Sequence, residues 1–285
     1  MRFTEIAINN YYALWRERTD LNKFYIISNS VKDPQRAALN EIRDYVIHHK
    51  GVVLDTLKDC ECVIVLGGDG TLLKAARDVN DSGLFLLGIN IGTLGFLTDA
   101  DMNTYQSAID SIINNDYIVD ERMMLEGRIY RQHQMIYENM ALNDVVINRS
   151  GSLRVIDFDI SVNGQFLSSY LADGVIIATA TGSTAYSLSA GGPILQPNAK
   201  LIMVTPICPH TLNKRSIIFD CNDVISIKIT DNKKLLEEHI VTFDGEQFFD
   251  VKPDDVIEIT KSERMSRFIK TNKDSFLKRV RERLM

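Results

Sequence analysis

The chain has 285 residues, which is more than one small core organises and about right for two modest domains. Apolar residues make up 45% and charged residues 25%, an ordinary globular composition that argues against a disordered, collagenous or coiled-coil chain. The formal net charge is −6, opposite in sign to that of most nucleic-acid binders, so we expect no nucleic-acid partner. A few local donors can still bind a small anionic ligand.

The sequence gives no sign of export or of a membrane partner. No apolar stretch reaches the roughly 18 residues of a transmembrane helix, and the N-terminus lacks an apolar signal region. We therefore expect a cytoplasmic chain. Its four cysteines fit a reducing compartment. Cys60 and Cys62 are spaced for one face of a strand, and no further ligand pair completes a zinc set, which favours a buried structural thiol.

Alternating strands and helices are predicted in the first part of the chain. Residues 1–22 look like an amphipathic helical leader. Apolar runs predict buried strands at 24–28, 62–66 and 84–89, with helices beginning near Asp33, Thr71 and Asn103. This alternation is typical of a parallel sheet, so residues 23–121 are predicted to be an α/β domain.

The first of these helices has recognisable end signals. Asp33 suits the N-cap, Pro34 the first helical position, and Gly51 the stop. Its predicted buried face is Ala38, Ile42, Tyr45 and His49.

Beyond about Arg122 the apolar period becomes two. Residues 156–162 alternate in this way, and Asn163-Gly164 suits a type I′ hairpin turn. Further strands are expected at 224–229 and 255–260, with a turn at Asp244-Gly245. Residues 122–271 are therefore predicted to be mostly antiparallel β. Residues 272–285 are predicted to form a charged helix that packs back on the first domain.

The strongest chemical signal is Gly67-Gly68-Asp69-Gly70-Thr71, which follows a buried strand and opens a helix. Glycines let backbone N–H groups approach phosphate oxygens, and a helix N-terminus adds partial positive charge. The run predicts a phosphate-binding turn. It matches neither the Walker A pattern nor the G-x-G-x-x-G dinucleotide pattern.

Asp69 is unusual in such a turn because its carboxylate repels phosphate unless it is neutralised or has chemistry to perform. A general base that accepts a hydroxyl proton accelerates a reaction by roughly two to four powers of ten. The alternative is that Asp69 merely caps the following helix. The combination of strand, glycines, acid and helix favours the catalytic role.

A second signal is Asp173-Gly174 followed by an apolar strand and the run T-A-T-G-S-T-A-Y at 179–186. Small and hydroxyl-bearing side chains let a flat heteroaromatic ring lie against the backbone, and Tyr186 can stack on it. A plain Ser/Thr loop is the alternative. Gly191-Gly192-Pro193 weakens that alternative because it implies an unusual backbone path.

Two further positions are open to more than one interpretation. Asn143-Asp144 interrupts an apolar segment, and an amide beside a carboxylate suits ribose hydroxyls or base edges. A turn explains the same pair equally well. His210 lies in a proline-bounded loop and is interpreted as a structural histidine.

Taken together, these segments resemble the NAD kinase family. G-G-D-G-T at 67–71, G-T-L-G-F at 92–96, Asn143-Asp144 and the block at 173–186 occur in the family's order. They are followed by S-L-S-A-G-G-P at 187–193 and P-I-C-P-H-T-L at 206–212. The first motif also occurs in diacylglycerol and sphingosine kinases, whereas T-G-S-T-A-Y-S-L-S-A-G-G-P is highly specific. The resemblance runs from about Lys23 to the C-terminus.

The resemblance implies a Rossmann-like N-terminal α/β domain, a C-terminal β domain, an active site between them, and a homodimer or homotetramer. The implied reaction is transfer of the γ-phosphate of ATP to the adenosine ribose 2′-hydroxyl of NAD, with Mg²⁺ as divalent cofactor. A diacylglycerol-type lipid kinase and a non-catalytic NAD(P)-binding regulator are the alternatives.

The resemblance also implies roles for individual residues. Asp69 would be the general base, with Gly67, Gly68, Gly70, Thr71 and Lys74 at the phosphates. Asn143 and Asp144 would hold the adenosine ribose, and Asp173 would face the nicotinamide. The remaining implied nucleotide-binding positions are Phe96, Arg154, Thr181, Thr184, Ala185, Tyr186, Ser187, Leu188, Ser189 and His210.

Some positions depart from the family pattern. Asp144 stands where glutamate is commoner, and Leu171 where many members have a basic residue. Ala180 and Ser216 each replace a frequent proline, and Glu246 a frequent glutamine. The departures at Leu171 and Glu246 concern charge near the ligand.

Overall fold

The computed structural model describes residues 21–79, 83–92, 95–150, 155–211, 214–230, 238–272 and 276–284. The chain divides into two compact units, Met1–Glu121 with Ser266–Met285, and Arg122–Met265. Of the predicted leader at 1–22, all but Leu21 and Asn22 lies outside the described residues.

Helices and strands follow one another along the described chain. The helices are α1 Ala37–His48, α2 Asp69–Asp78, α3 Tyr105–Ile113, α4 Tyr186–Ser189 and α5 Phe276–Leu284, with a 3₁₀ turn at Thr181–Thr184. The strands up to the middle of the chain are β1 Lys23–Ser28, β2 Val52–Leu54, β3 Cys62–Gly67, β4 Phe85–Asn90, β5 Ala100–Asp101, β6 Ile118–Arg131, β7 Gln134–Ala141, β8 Asp144–Ser150 and β9 Ile156–Val162. The remaining strands are β10 Gln165–Ala172, β11 Gly174–Thr179, β12 Leu201–Ile207, β13 Ile217–Asp220, β14 Ile225–Ile229, β15 Glu238–Phe243, β16 Gln247–Val251 and β17 Val256–Lys270.

The first unit is built on a parallel sheet. Its strand order is β2-β1-β3-β4, and the end of β17 pairs in parallel with β4 through Arg267 and Phe268. Every residue of β3 and β4 is buried, as expected for parallel strands covered on both faces. The sheet packs against α1 and α3 in one apolar core that includes Ile42, Ile109 and Ile112. The predicted α/β organisation of this part of the chain is confirmed.

Helix α1 differs from its prediction in its first residue and in its buried face. It begins at Ala37 rather than Pro34, because Arg36 at the N-cap is in the left-handed region with φ of 55°. The Asp33 carboxylate nevertheless accepts hydrogen bonds from the N–H groups of Ala38 and Leu39, at 3.2 and 3.1 Å. The buried face consists of Ile42 and Val46, whereas the predicted His49 is exposed.

The second unit is antiparallel. One six-stranded sheet has the order β13-β12-β11-β8-β15-β16, and a second group of strands runs β10-β9-β14-β17, while β6 and β7 form a hairpin. Strand β9 occupies the predicted residues 156–162, and the turn residues Asn163 and Gly164 have φ of 51° and 77°. These values confirm the type I′ prediction because both central residues need positive φ.

Two expectations about single features are also tested. Cys60 and Cys62 are both buried, and burial raises the pKa of each thiol, but Cys60 precedes β3 instead of sharing a strand face. No helix among the described residues has the length and apolar character needed to cross a bilayer.

Candidate functional site

The glycine-rich turn joins the end of β3 to the start of α2. Gly67 is the last residue of β3, Gly68 is the N-cap of α2 in extended conformation, and Asp69 is the first helical residue. A Cβ on Gly67 would overlap the Thr71 side chain, so this position requires glycine. A Cβ on Gly70 would meet no atom of the described residues within 4 Å, which leaves space in front of the turn. Lys74 is exposed on α2.

The Asp69 carboxylate is held by backbone amides from another part of the chain. The N–H of Phe96 donates to Asp69 Oδ2 at 2.7 Å, and the N–H of Leu97 donates to Oδ1 at 3.1 Å. Helix α2 has no side-chain hydrogen bond at its N-cap. The Asp69 carboxylate is therefore bonded to the amides of residues 96 and 97 and not to the first amides of α2, which disfavours the alternative that Asp69 only caps the helix.

Gly95 makes this arrangement possible. A Cβ on Gly95 would overlap the Asp69 carboxylate itself, so any side chain there would push the carboxylate off the two amides. The G-T-L-G-F motif thus owes its second glycine to the close approach of Asp69. Sequence reasoning identified the motif but not this role.

The C-terminal helix α5 contacts the same segment, as predicted for a helix that packs on the first unit. Arg279 Nη1 donates to the Phe96 carbonyl at 2.6 Å, and the Arg283 guanidinium lies 5.5 Å from the centre of the Phe96 ring. Arg279 also lies 3.8 Å from the buried carboxylate of Asp99. Phe96 is therefore bonded through its N–H to Asp69 and through its carbonyl to α5.

The second unit contains a cavity of about 290 Å³. It is lined by polar side chains at the start of β8, by aliphatic residues of β8 and β15, by the turn after β15, and by the start of α4. The lining residues are Asn143, Asp144, Val146, Asn148, Ala185, Tyr186, Ile240, Thr242, Asp244 and Gly245. Four positions singled out from the sequence thus meet in one cavity: Asn143, Asp144, Ala185 and Tyr186.

Asp244 binds the backbone at the start of β8. Its carboxylate accepts hydrogen bonds from the N–H groups of Leu142, Asn143 and Asp144, at 3.0, 2.7 and 3.2 Å. The Asn143 Oδ1 atom is buried and has no hydrogen-bond partner among the described residues. Sequence analysis treated Asp244-Gly245 only as a turn, which it is, with φ of 52° and 71°. The sequence placed the following residue, Glu246, near the ligand, but it did not predict that the Asp244 carboxylate binds these three amides.

Asp144 is the most perturbed carboxyl group of this cavity. Its side chain is buried, which disfavours the charged form, and the nearby Asp244 carboxylate repels a second negative charge. Together these effects raise the pKa of Asp144 from 3.8 to about 7. Asp144 therefore changes charge near neutral pH.

Thr181 and Thr184 of the hydroxyl-rich turn do not line this cavity. Thr181 Oγ1 accepts a hydrogen bond from the buried Arg122 at 3.2 Å, and Thr184 Oγ1 donates to the Thr181 carbonyl at 3.4 Å. A Cβ on Gly182 would overlap the Asn143 backbone, which explains that glycine by close packing.

Ser187 belongs to a chain of hydroxyl groups in which Ser187 and Thr205 are buried and Ser216 is half-buried. Its Oγ lies 3.1 Å from Thr205 Oγ1, which lies 2.8 Å from Ser216 Oγ. The serine at 216 thus supplies a hydrogen bond that the family's usual proline lacks. Neither Ser187 nor its neighbours Leu188 and Ser189 line the cavity.

The other predicted positions lie apart from the cavity lining. The Asp173 carboxylate pairs with Arg149, with Nε and Oδ1 2.9 Å apart. His210 is exposed, and its backbone N–H donates to the Leu171 carbonyl at 2.7 Å. Arg154 lies outside the described residues.

The described residues do not build a resident metal site. No group of three or more His, Cys, Asp or Glu side chains among them is arranged to hold a metal ion. The phosphate turn contributes one carboxylate, Asp69, and each of its oxygens already accepts a hydrogen bond from a backbone N–H group. These residues alone therefore do not fit a protein-held cation.

A parallel sheet that ends in a glycine-rich turn suits phosphate oxygens, and the amide- and carboxylate-lined cavity of the β unit suits a nucleoside. Both features are typical of a nucleotide-binding protein. Two family models match this chain: the ATP-NAD kinase N-terminal domain over residues 26–117 and the ATP-NAD kinase C-terminal domain over residues 142–271. The chain belongs to the ATP-NAD kinase family.

Similar proteins agree with this assignment. The NAD kinase of Lachnospira eligens is 50% identical, covering 92% of this chain and 99% of that protein. The NAD kinase of Lachnoclostridium phytofermentans is 39% identical, and the match covers 92% of this chain and 98% of that protein. Among solved structures, yeast NADH kinase complexed with NADH superposes with a TM-score of 0.80 at 24% identity, covering 94% of this chain and 88% of that one. An Archaeoglobus fulgidus NAD kinase in complex with ATP superposes with a TM-score of 0.73 at 22% identity, covering 88% of this chain and 94% of that one. These two likenesses concern the fold.

Proposed function

We propose that this chain phosphorylates NAD at the 2′-hydroxyl of its adenosine ribose, using the γ-phosphate of ATP, and that Asp69 is the general base. The observation that carries this proposal is the Asp69 carboxylate, fixed by two backbone amides at the glycine-rich turn. Phosphoryl transfer depends mainly on positioning and on neutralisation of charge. A carboxylate that is already fixed can accept the hydroxyl proton without further reorganisation.

In this proposal, different residues of the chain bind the phosphates, the ribose and the adenine. The open space at Gly70 and the N–H groups at the start of α2 suit phosphate oxygens. In the second unit, the Asp144 carboxyl group and the Asn143 Oδ1 atom, which has no hydrogen-bond partner among the residues described, suit the hydroxyls of the adenosine ribose. Tyr186, which is 42% exposed at the cavity, suits the face of the adenine ring.

The divalent ion is assigned to the substrate. Mg²⁺ normally keeps several waters and binds through substrate phosphates and one or two carboxylates. We therefore propose that it enters as the Mg·ATP complex. The same proposal places the enzyme in the cytoplasm as a homodimer or homotetramer, with Asp173 near the nicotinamide end of the dinucleotide.

The test replaces Asp69 with asparagine. Asp69→Asn removes the proton acceptor while keeping the shape of the side chain, so kcat should fall by about two to four powers of ten. NAD binding, measured by calorimetry, should stay within about threefold of the original because the ribose pocket is untouched. Turnover is measured as NADP formation from NAD and ATP.

Asp78→Asn is the matched control, since Asp78 is an exposed residue of the same helix. It should leave kcat unchanged. A near-native kcat in Asp69→Asn would overturn the assignment of the base. An original chain that binds NAD but forms no NADP, with diacylglycerol left unmodified as well, would favour the non-catalytic regulator.

A further inference from the structure

A second lysine, Lys32, lies beside the glycine-rich turn. Its Nζ donates a hydrogen bond to the Ile91 carbonyl at 3.0 Å. A Cβ on Gly68 would be 3.1 Å from this Nζ, and a Cβ on Gly92 would be 3.6 Å from it. The ammonium group is thus next to the turn that follows β3 and to the turn that follows β4. No motif in the sequence draws attention to it.

The backbone that carries Lys32 is fixed to the turn by Asn29. The N–H of Asn29 donates to the Leu66 carbonyl at 2.9 Å, and Asn29 Nδ2 donates to Thr71 Oγ1 at 2.9 Å. The Lys32 N–H in turn donates to the Asn29 Oδ1 atom at 3.1 Å. Since Asn29 bonds both to the end of β3 and to the start of α2, the Lys32 backbone has a defined position relative to the glycine-rich turn.

The positive charge of Lys32 offsets the negative charge that Asp69 brings to the glycine-rich turn. Asp69 places a carboxylate where phosphate oxygens must bind, and like charges at short range repel. An ammonium group next to Gly68 offsets that charge and has further protons to donate beyond the one bonded to Ile91. The Lys32 side chain is exposed and flexible, so the ammonium can reach a bound anion.

We propose that Lys32 binds the diphosphate oxygens of the nucleotide held at the glycine-rich turn. Lysine is a common phosphate ligand that acts as a point charge, and the triphosphate of ATP and the diphosphate of NAD both contain linked phosphates of this kind. The inference rests on the proposed function for the identity of its ligand. It adds a second cation at the turn to Lys74, which the sequence offered for this role.

The test compares Lys32→Met with Lys58→Met, because both remove one exposed lysine charge from the same unit and Lys58 has no part in the proposed site. Lys32→Met should lower kcat/KM for ATP or for NAD by about 10- to 100-fold. This is the effect of losing one charge-assisted hydrogen bond. Lys58→Met should change kcat/KM by less than about threefold. A rise in KM for ATP alone assigns the contact to the triphosphate, and a rise in KM for NAD alone assigns it to the dinucleotide diphosphate.

Two further measurements distinguish binding from a structural role through the Ile91 contact. Affinity for inorganic pyrophosphate, measured by calorimetry without turnover, should fall about tenfold or more in Lys32→Met, with partial recovery in Lys32→Arg. The difference should shrink as salt increases, because the interaction is ionic. Since pyrophosphate binding needs no NAD phosphorylation, failure of the proposed function would leave this result interpretable.

Two results would overturn the proposal. One is equal pyrophosphate affinity in Lys32→Met and the original chain. The other is a lowered unfolding temperature in Lys32→Met without any change in affinity, which would make the Ile91 contact purely structural.

Discussion

Asp69 shows how one catalytic candidate depends on a residue that has no side chain. The two amides that hold its carboxylate belong to Phe96 and Leu97, and they are reachable only because Gly95 leaves room. The sequence identified Asp69 through the glycines around it. It offered no way to identify the donors, because they are backbone groups from a distant loop and carry no residue-specific signal.

The residues that line the cavity of the second unit were also predictable only in part. Asn143, Asp144, Ala185 and Tyr186 were all named from motif matches, and they line one cavity. The aliphatic members Val146 and Ile240 look like any buried strand residue in the sequence. Asp244 resembled an ordinary hairpin residue because its three hydrogen bonds go to backbone that is far away in the chain.

The raised pKa of Asp144 makes a prediction about stability. In the folded chain the group titrates near pH 7, and in the unfolded chain near 3.8, so the folded state holds the extra proton between these values. Its contribution therefore destabilises the fold progressively as pH rises from about 4 to 7 and is constant above that. Asp144→Asn should remove this effect and gain on the order of 2–4 kcal/mol at pH 8.

Urea unfolding of both proteins between pH 5 and pH 8 measures this difference. The gain should grow with pH up to about 7 and then level off. Asp44→Asn, which removes an exposed carboxylate from α1, serves as control. A gain for Asp144→Asn that is the same at pH 5 and pH 8 would contradict the prediction.

At the scale of helices and strands, burial decided what could be predicted. Strands β3 and β4 are buried along their whole length, and their continuous apolar runs were recognised to within one residue. Strands β7 and β16 are largely exposed and mix polar with apolar residues, so they showed no clear period. The start of α1 was misplaced because Asp33 reaches its amides from outside the helix.

Helix α5 yields a prediction about activity. Arg279 bonds to the carbonyl of Phe96, whose N–H holds Asp69. Arg279→Met should loosen this segment and lower kcat by about three- to tenfold with little change in KM for NAD. Steady-state kinetics with both substrates measures the effect.

The control is Arg281→Met, an exposed position on the same helix. It removes the same charge without touching Phe96, so its kcat should match that of the original chain. If both variants lose activity equally, the loss comes from the helix as a whole and not from the Phe96 contact.

At the scale of the whole molecule, each unit has its own apolar core. The second unit also contains a buried carboxylate that is paired with an arginine. Arg131 at the end of β6 forms two hydrogen bonds to Asp255, at 2.9 and 2.7 Å, and this hydrogen bonding raises the pKa of Arg131. The Asp255 side chain is only 1% exposed. Removing the arginine would leave a buried carboxylate without its cation.

Arg131→Met should therefore lower the free energy of unfolding by about 3 kcal/mol or more. Arg43→Met is the comparison, because its partner Asp55 is 89% exposed and such pairs contribute about 0–1 kcal/mol. Chemical denaturation measures both. Equal losses in the two variants would show that burial of Asp255 does not set the cost.

The amide pair that holds Asp69 has a consequence for how this chain tolerates change. Peptide N–H groups are present whatever residues occupy positions 96 and 97, provided that neither is proline. Ordinary substitutions at those two positions therefore leave the donors in place. Genetic variation can abolish the support for the carboxylate mainly by giving residue 95 a side chain or by rerouting the loop, so mutational vulnerability concentrates on one small residue.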